Sequence, residues 1–344
     1  MNSIYNYSRE KLDTYFLNKG LTKYRSTQVF EALYKQQVKD FFEITNLKLE
    51  LREELSKDFS ISSLDVVREQ RSIDGTIKYL FGLEDKVLIE TVLMKHNYGY
   101  SVCITTQAGC NMGCSFCASG LIKKQRNLTT AEMVLQVLEV DRRLKEEGKR
   151  VSHIVLMGIG EPFDNYENVI EFLKIVNYPK GLQIGSRHIT VSTCGIVPKI
   201  YEFAEFPLQV NLAISLHFAD DVKRSKYMKI NKAYNIKDLM DALDYYIEKT
   251  NRRITFEYIL LKDINDTLED ANNLVELIKN KNAYVNLIPY NDTNFFMRST
   301  KEQTLKFYDY LKKNGINVTL RKEQGHDIDA ACGQLRLKEV RCKA

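Results

Sequence analysis

The sequence reads as an α/β protein, a partial (β/α)6 barrel carrying a small N-terminal helical domain and a β-hairpin extension. Three observations predict this. Six strand-like segments between Ser101 and Tyr290 are each followed by a helix-like segment, which implies a parallel sheet. One more strand-like run, NVTLRK, follows the sixth unit, too little to complete the eight units of a closed barrel. At 344 residues, 44% of them hydrophobic, the chain is long enough to bury a barrel-sized core with a smaller domain attached.

In chain order, residues 1 to about 62 show short helical periodicities, in Leu12, Tyr15 and Phe16, in Val29, Phe30, Leu33 and Tyr34, and in Leu47, Leu51 and Leu55. The helical domain is placed at residues 1–75. TIKYLFGL and VLIETVLM flank the turn-like Glu84-Asp85-Lys86 and predict a hairpin over residues 76–95. The barrel spans residues 96–335, with strands SVCITTQ, HIVLMG, HITVST, VNLAISL, ITFEYILL and YVNLIPY, and residues 336–344 form a basic tail. Its first helix is marked by capping-box spacing at Thr129 and Glu132 and an apolar stripe through Met133, Val134, Val137, Leu138 and Leu144. Reactive residues of such a barrel belong at the C-terminal ends of the strands.

No basic-then-apolar leader opens the chain and no run of about 18 apolar residues occurs, so a cytoplasmic protein with no membrane association is expected. Seven cysteines, four of them (Cys103, Cys110, Cys114, Cys117) within fifteen residues, suit a metal or redox site better than a secreted disulfide framework. The net charge of +5 is mild, but basic residues gather at Lys19, Lys23 and Arg25, at Lys123, Lys124 and Arg126, and at Arg336, Lys338, Arg341 and Lys343. Each cluster alone is ordinarily a solvated face; together they permit an RNA partner.

Cys110-x3-Cys114-x2-Cys117 follows the first barrel strand, with Gly109, Gly113 and Gly120 freeing the backbone to wrap an inorganic core. Structural zinc closes with four protein ligands, and no fourth Cys or His stands at short spacing. Three thiolates on a cubane leave one iron open. Spacing alone favours the cluster while leaving zinc, or unliganded or disulfide cysteines, as alternatives. At other strand ends stand Gly160 and Glu161, then Ser192, then Ser215, Leu216 and His217, then Asn291. Glycine permits close approach and a carboxylate accepts hydrogen bonds from an amino group. Taken singly, the Gly160-Glu161 loop could be a plain turn, His217 a satisfied core histidine, Cys332 a buried inert thiol and Glu90 an exposed strand carboxylate.

CNMGCSFC, including Phe116 before the last cysteine, resembles the cysteine loop of the radical S-adenosylmethionine enzymes. CITTQAGCNMGCSFCASG, GIGEP, ISLH, VNLIPYN and GHDIDAACGQL, in that order, resemble the motifs of the RlmN group of RNA methyltransferases, from about Arg25 to Arg336. The resemblance implies a radical S-adenosylmethionine barrel with a [4Fe-4S] cluster on Cys110, Cys114 and Cys117. It also implies S-adenosylmethionine contacts at Gly160, Glu161, Ser192, Ser215, Leu216, His217 and Asn291. Two molecules of S-adenosylmethionine would be consumed per methylation. One methylates Cys332, and the other, bound at the cluster, yields the radical that activates that methyl group for addition to adenine C2.

By the same resemblance, Glu90 accepts the C2 proton, and Cys103 forms a transient disulfide with Cys332 to release the product. A fourth cluster ligand is the competing reading of Cys103. The target is an adenine of 23S rRNA (position 2503 in the usual nomenclature), and adenosine 37 of transfer RNAs as in many family members. The helical domain is expected to bind RNA, with Tyr24 and the basic residues compatible, and the target base to be flipped out. An external electron donor such as flavodoxin and a monomeric state are expected. Cys194 and Cys342 have no role in the pattern. The rival readings are the related Cfr group, which methylates adenine C8, and an RNA-binding protein whose cluster or zinc is not catalytic; Pro162 and the LRKEQGHDIDAACGQL ending favour the RlmN group.

Overall fold

The computed structural model describes residues 2–121, 123–291, 296–325 and 327–328. Its centre is a ten-stranded sheet whose strands lie in chain order: β1 (Asp65–Arg71), β2 (Ile77–Gly82), β3 (Leu88–His96), β4 (Gly99–Cys103), β5 (Val151–Leu156), β6 (Ile189–Thr193), β7 (Asn211–Ser215), β8 (Ile254–Leu260), β9 (Ala283–Pro289) and β10 (Val318–Leu320). β1 to β4 are antiparallel, and β4 to β10 run parallel. The six strand–helix units and the extra strand are therefore present, and β1 and β10 remain at opposite edges of an open sheet.

The extension differs from its expected form. Asp65–Arg71, within the segment assigned to the helical domain, is a strand, so three antiparallel strands lead into the barrel where a two-stranded hairpin was expected. DVVREQR has only exposed or half-buried side chains and no continuous apolar signature, and its pairing with β2 depends on the partner strand. The turn between β2 and β3 is where the sequence places it, with Lys86 in the left-handed region (φ 66°).

Alternation gives the two sheet faces different chemistry. Ile154, Leu156, Val191, Ile214, Phe256 and Leu287 point to the helix-covered face and are buried in one continuous core. The registers Lys78↔Val92, Val92↔Cys103, Cys103↔Val155, Val155↔Thr190, Ser192↔Ala213 and Ser215↔Glu257 put the other set of side chains on a common inner face. That face is rich in polar groups, as a face lining a reaction chamber would be.

Helices α1 (Arg9–Asn18), α2 (Tyr24–Glu31) and α3 (Leu49–Asp58) form the N-terminal layer. It docks on the barrel helices α4 (Thr130–Glu146) and α5 (Tyr166–Asn177). Asn6 Oδ1 accepts from the Ala131 N–H (2.8 Å), the Ser8 N–H donates to Glu171 Oε1 (3.1 Å), and Gln37 Nε2 donates to Asp141 Oδ2 (2.9 Å). Phe30 packs on Tyr34 and Tyr178, which makes the two cores continuous. The capping box read at Thr129 and Glu132 is formed with both of its hydrogen bonds. The remaining barrel helices are α6 (Val197–Ala204), α7 (Asp221–Tyr227), α8 (Ile236–Thr250), α9 (Leu268–Ile278) and α10 (Lys301–Lys313). Among the described residues, no helix is long and apolar enough to cross a membrane.

Candidate functional site at the strand ends

The cysteine loop is set by its base. Gln107–Ala108 pairs antiparallel with Arg126–Asn127, pinching the chain on both sides of the loop, and Gly109 at φ +96° turns it out of the sheet. Arg126 fastens that base to Asp85 (2.7 Å) and to Glu132 (2.7 Å) at the start of α4. Inside the loop, Phe116 is buried in an apolar cluster with Phe218, Met228, Leu261 and Tyr290, and Tyr290 Oη donates to the Phe116 carbonyl (3.0 Å). The Ser115 N–H donates to the Tyr227 carbonyl (3.0 Å). The aromatic residue thus acts as an apolar anchor that holds the cysteines against the ends of the strands.

Cys110, Cys114 and Cys117 are half-buried and share this loop. Burial pushes the Cys110 thiol up to about 11, and burial with the neighbouring Cys117 and Cys110 charges pushes Cys114 well above the thiol range. Thiolates at Cys110 and Cys114 therefore need a cationic centre to hold them. Gly120 is required for the wrap, since a Cβ there would stand 2.8 Å from the Cys114 carbonyl oxygen. Among the described residues no three His, Cys, Asp or Glu side chains gather as the ligands of a single metal ion. Three cysteine thiols on one loop, half-buried at the strand ends, are a donor set of the kind that iron–sulfur clusters take, so the residues present fit such a cluster.

Opposite the loop lies the segment after β5. A Cβ on Gly158 would meet the Ile104 carbonyl oxygen at 2.5 Å, and one on Gly160 (φ +112°) would meet the Gln107 backbone nitrogen at 2.9 Å, so both glycines let this loop close onto the end of β4. Glu161 is buried, and its carboxylate is already engaged: Oε1 accepts from the Phe163 N–H (3.0 Å) and Oε2 from the Cys194 N–H (2.8 Å). Burial outweighs these bonds and raises its pKa. The carboxylate expected to meet an amino group thus also ties the β5 loop to the end of β6.

Ser192 on β6 and Ser215 on β7 are brought together, Oγ to Oγ at 3.3 Å. Leu216 turns its side chain fully into the helix-side core, and its carbonyl accepts from Arg224 Nε (3.2 Å). His217 sits in the left-handed region (φ 59°), packs edge-on against Phe116, and accepts at Nδ1 from the Ile259 N–H (3.2 Å). Asn291 is exposed just beyond β9. Cys332 and Cys342 lie outside the described residues, and no disulfide occurs among the described ones.

Burial, with the Arg224 charge, lowers the His217 pKa to about 3, so the folded protein holds the ring neutral. The unfolded chain takes up a proton near pH 6.5 and the folded one does not until near 3. Between these values the unfolded state binds more protons, so stability falls as the pH falls through this window, by up to about 1.4 kcal/mol per pH unit. Replacing His217 with Gln is expected to flatten this slope. Denaturant midpoints compared at pH 7 and pH 5 measure it.

Glu90 and Cys103 are brought close in the sheet. Val92 is paired with Cys103, and Glu90 is two residues from Val92 on the same face. Glu90 is buried and ion-paired with the wholly buried Lys78 at 2.9 Å, while Thr105 Oγ1 donates to its carbonyl oxygen (2.6 Å). Cys103 shares an apolar patch with Val92, Met94, Val155 and Met157.

Two cations here escaped the sequence reading. Lys78 could have been found, because a lysine inside TIKYLFGL lies on the same face as Glu90, one pairing step away. Arg224 had no signal: DVKRSKY looks like a solvated helix. It is nonetheless fully buried, donating to the Cys194 carbonyl (2.7 Å), the Leu216 carbonyl and Asn231 Oδ1 (2.8 Å), and so joins the ends of β6 and β7 beside Cys114. Cys194, which has no role in the sequence pattern, is buried between Glu161 and Arg224.

Residues 104–278 match the Radical SAM superfamily, and residues 2–61 match the ribosomal RNA large subunit methyltransferase N-terminal domain. A protein of Enterococcus faecalis named "Probable dual-specificity RNA methyltransferase RlmN" is 56% identical over 98% of this chain and 97% of its own length. One of the same name from Spiroplasma citri is 54% identical over 98% of each. A solved structure of a radical SAM methyltransferase from Sphaerobacter thermophilus superposes with a TM-score of 0.91 at 40% identity, covering 97% of this chain and 99% of that one. An open parallel barrel with a three-cysteine loop at its strand ends, a helical layer of matching type and full-length likeness lead to one conclusion: the chain belongs to the RlmN family of radical S-adenosylmethionine RNA methyltransferases, which use a [4Fe-4S] cluster and S-adenosylmethionine.

Proposed function

We propose that this enzyme methylates C2 of an adenine in 23S rRNA, and of adenosine 37 in transfer RNAs, by way of an S-methylcysteine at Cys332. The single observation that supports this best is the common inner face that carries Glu90 and Cys103 at the end of the barrel where the cysteine loop stands. Cys110, Cys114 and Cys117 would hold the cluster, and the strand-end residues Gly160, Glu161, Ser192, Ser215, His217 and Asn291, with the Leu216 backbone, would surround S-adenosylmethionine. When bound, these groups supply the methyl group and a 5′-deoxyadenosyl radical.

The chain's own residues do the rest. Cys332 carries the methyl group and, once its carbon has joined adenine C2, links enzyme to base. Glu90, buried beside Lys78, accepts the C2 proton. Cys103, as its thiolate, then attacks the Cys332 sulfur; the bond from that sulfur to the transferred carbon breaks as the disulfide forms, the freed carbon takes up a proton to become the methyl group, and the one electron left over passes to the external redox partner. The helices up to Asp58 would hold RNA, with Tyr24 exposed for stacking. The reading includes a cytoplasmic location, a monomeric state and an external electron donor such as flavodoxin.

The test is anaerobic reconstitution with iron, sulfide, S-adenosylmethionine and a ribosomal RNA fragment, followed by mass spectrometry of the digested nucleosides. 2-Methyladenosine is the expected product. Finding only 8-methyladenosine, or none with an intact cluster and a competent reductant, refutes the proposal.

A further inference from the structure

The mouth of the barrel at the strand N-termini, opposite the cysteine loop, holds a cavity of about 830 Å³. Arg187, Arg252 and Arg253 line it with Tyr98, Asn211 and Tyr284, and no Asp or Glu is among the described residues lining it. Three guanidinium groups thus stand in one hollow without a carboxylate on its wall. Arg252 donates to Asn211 Oδ1, yet its Nε is buried without an acceptor. Arg187 donates twice to the neutral amide of Gln209, and Arg253 lies over the Tyr284 ring, 4.7 Å from its centroid.

Beside this cavity runs a row of rings drawn from the β3–β4 turn and the starts of β5 and β6. His96 stacks on Tyr98 (4.6 Å between centroids), Tyr98 meets His153 edge-on (4.9 Å), and His153 stacks on His188 (4.4 Å). Tyr98 is 66% exposed. Arginines without a carboxylate partner, next to a row of rings exposed at Tyr98 and His188, are complementary to what single-stranded RNA presents in alternation, phosphates and bases. Thr190, on the cavity wall, shares its strand face with Ser192, which lies two residues further along, about 7 Å towards the cysteine-loop end.

We infer that this rim grips the RNA strand next to the target adenine, with backbone phosphates on Arg187, Arg252 and Arg253 and a neighbouring base on the Tyr98 ring row. The inference rests on the RNA methyltransferase reading and adds a second anchoring surface to the N-terminal helices. It makes the N-terminal rim the side from which the strand is held while its flipped base enters the barrel.

The experiment uses the reconstituted full-length enzyme and a fluorescently labelled RNA hairpin with an unpaired adenine in its loop, with anisotropy followed across a KCl series. The Arg187→Gln/Arg253→Gln double variant should bind about tenfold more weakly, and the slope of log K against log salt should flatten by about 1.4, or about 0.7 for each lost phosphate contact. The Arg187→Lys/Arg253→Lys double variant should keep the slope. Tyr98→Ala should weaken binding roughly tenfold and leave the slope unchanged. Affinity and slope unaltered in the Gln variant overturn the inference.

Circular dichroism checks the fold of each variant. Should the Gln variant not fold, photo-crosslinking of 4-thiouridine RNA to the wild type reads the same contact. Adducts on peptides containing Tyr98, Arg187 or Arg253 support it, and adducts confined to residues before Asp65 overturn it. Wild-type enzyme that forms 2-methyladenosine while the Gln variant binds RNA equally well removes the rim site alone. Wild-type enzyme that forms no methylated adenosine removes the underlying activity, and the salt slopes still decide the rim.

Discussion

Replacing any one of Cys110, Cys114 and Cys117 with alanine is expected to abolish both the iron–sulfur absorbance and 2-methyladenosine formation, while the chain still folds. The loop is held by Phe116, by the Tyr290 hydroxyl on its carbonyl and by the strand pair at its base, none of which needs a thiol. Cys110 and Cys114 are accommodated as neutral thiols, since burial raises both. Loss of one ligand therefore removes the cluster while the loop keeps its Phe116 anchor and its strand-paired base. Methylation should fall to background, because adenine C2 is electrophilic and has no polar route to a sulfonium methyl group. Anaerobic absorbance, iron content and nucleoside mass spectrometry measure the two losses, and a variant that keeps activity would exclude that cysteine as a ligand. Cys103→Ala should keep the full absorbance; its loss would return Cys103 to the role of a fourth ligand.

A second large effect is expected at Lys78. Its ammonium is wholly buried and meets Glu90 at 2.9 Å. Lys78→Met leaves a buried carboxylate without this cation, a change that destabilises a fold by about 3–5 kcal/mol. Denaturant unfolding should show the loss as a lower midpoint at unchanged slope, and Lys78→Met/Glu90→Met should recover part of it. Glu90→Gln is expected to retain the cluster and RNA binding but to stop before product release, leaving RNA covalently joined to the chain on a denaturing gel. Unchanged product formation by Glu90→Gln would dismiss it as the proton acceptor.

Most of the barrel was legible because its signals are local. Strand-like and helix-like runs alternate, each strand about the length of a core strand, and the chain order became the spatial order of the sheet. The capping box at Thr129 and the turn at Lys86 involve neighbours in sequence and formed as read. The cysteine spacing was likewise local, and so was Phe116, though the sequence marked it only as part of a motif and the fold made it an anchor. β1 was missed because DVVREQR has a polar composition and becomes a strand only by pairing with β2.

The sequence by itself determined the order of strands and helices from β2 onward, the three-thiol donor set and the placement of polar residues at strand ends, since each depends on spacing along one segment. Only the tertiary structure decided what meets what. It set Glu90 against Lys78 and beside Cys103, because strand register converts residues far apart in sequence into neighbours. It turned Leu216 to the core and left Ser192 to meet Ser215, since which face a side chain takes follows from alternation within the assembled sheet. It buried Arg224 among three acceptors contributed by three separate segments, an arrangement no local pattern encodes. It also gathered Arg187, Arg252 and Arg253 at one rim, because parallel strands bring all their N-termini to the same end of the barrel.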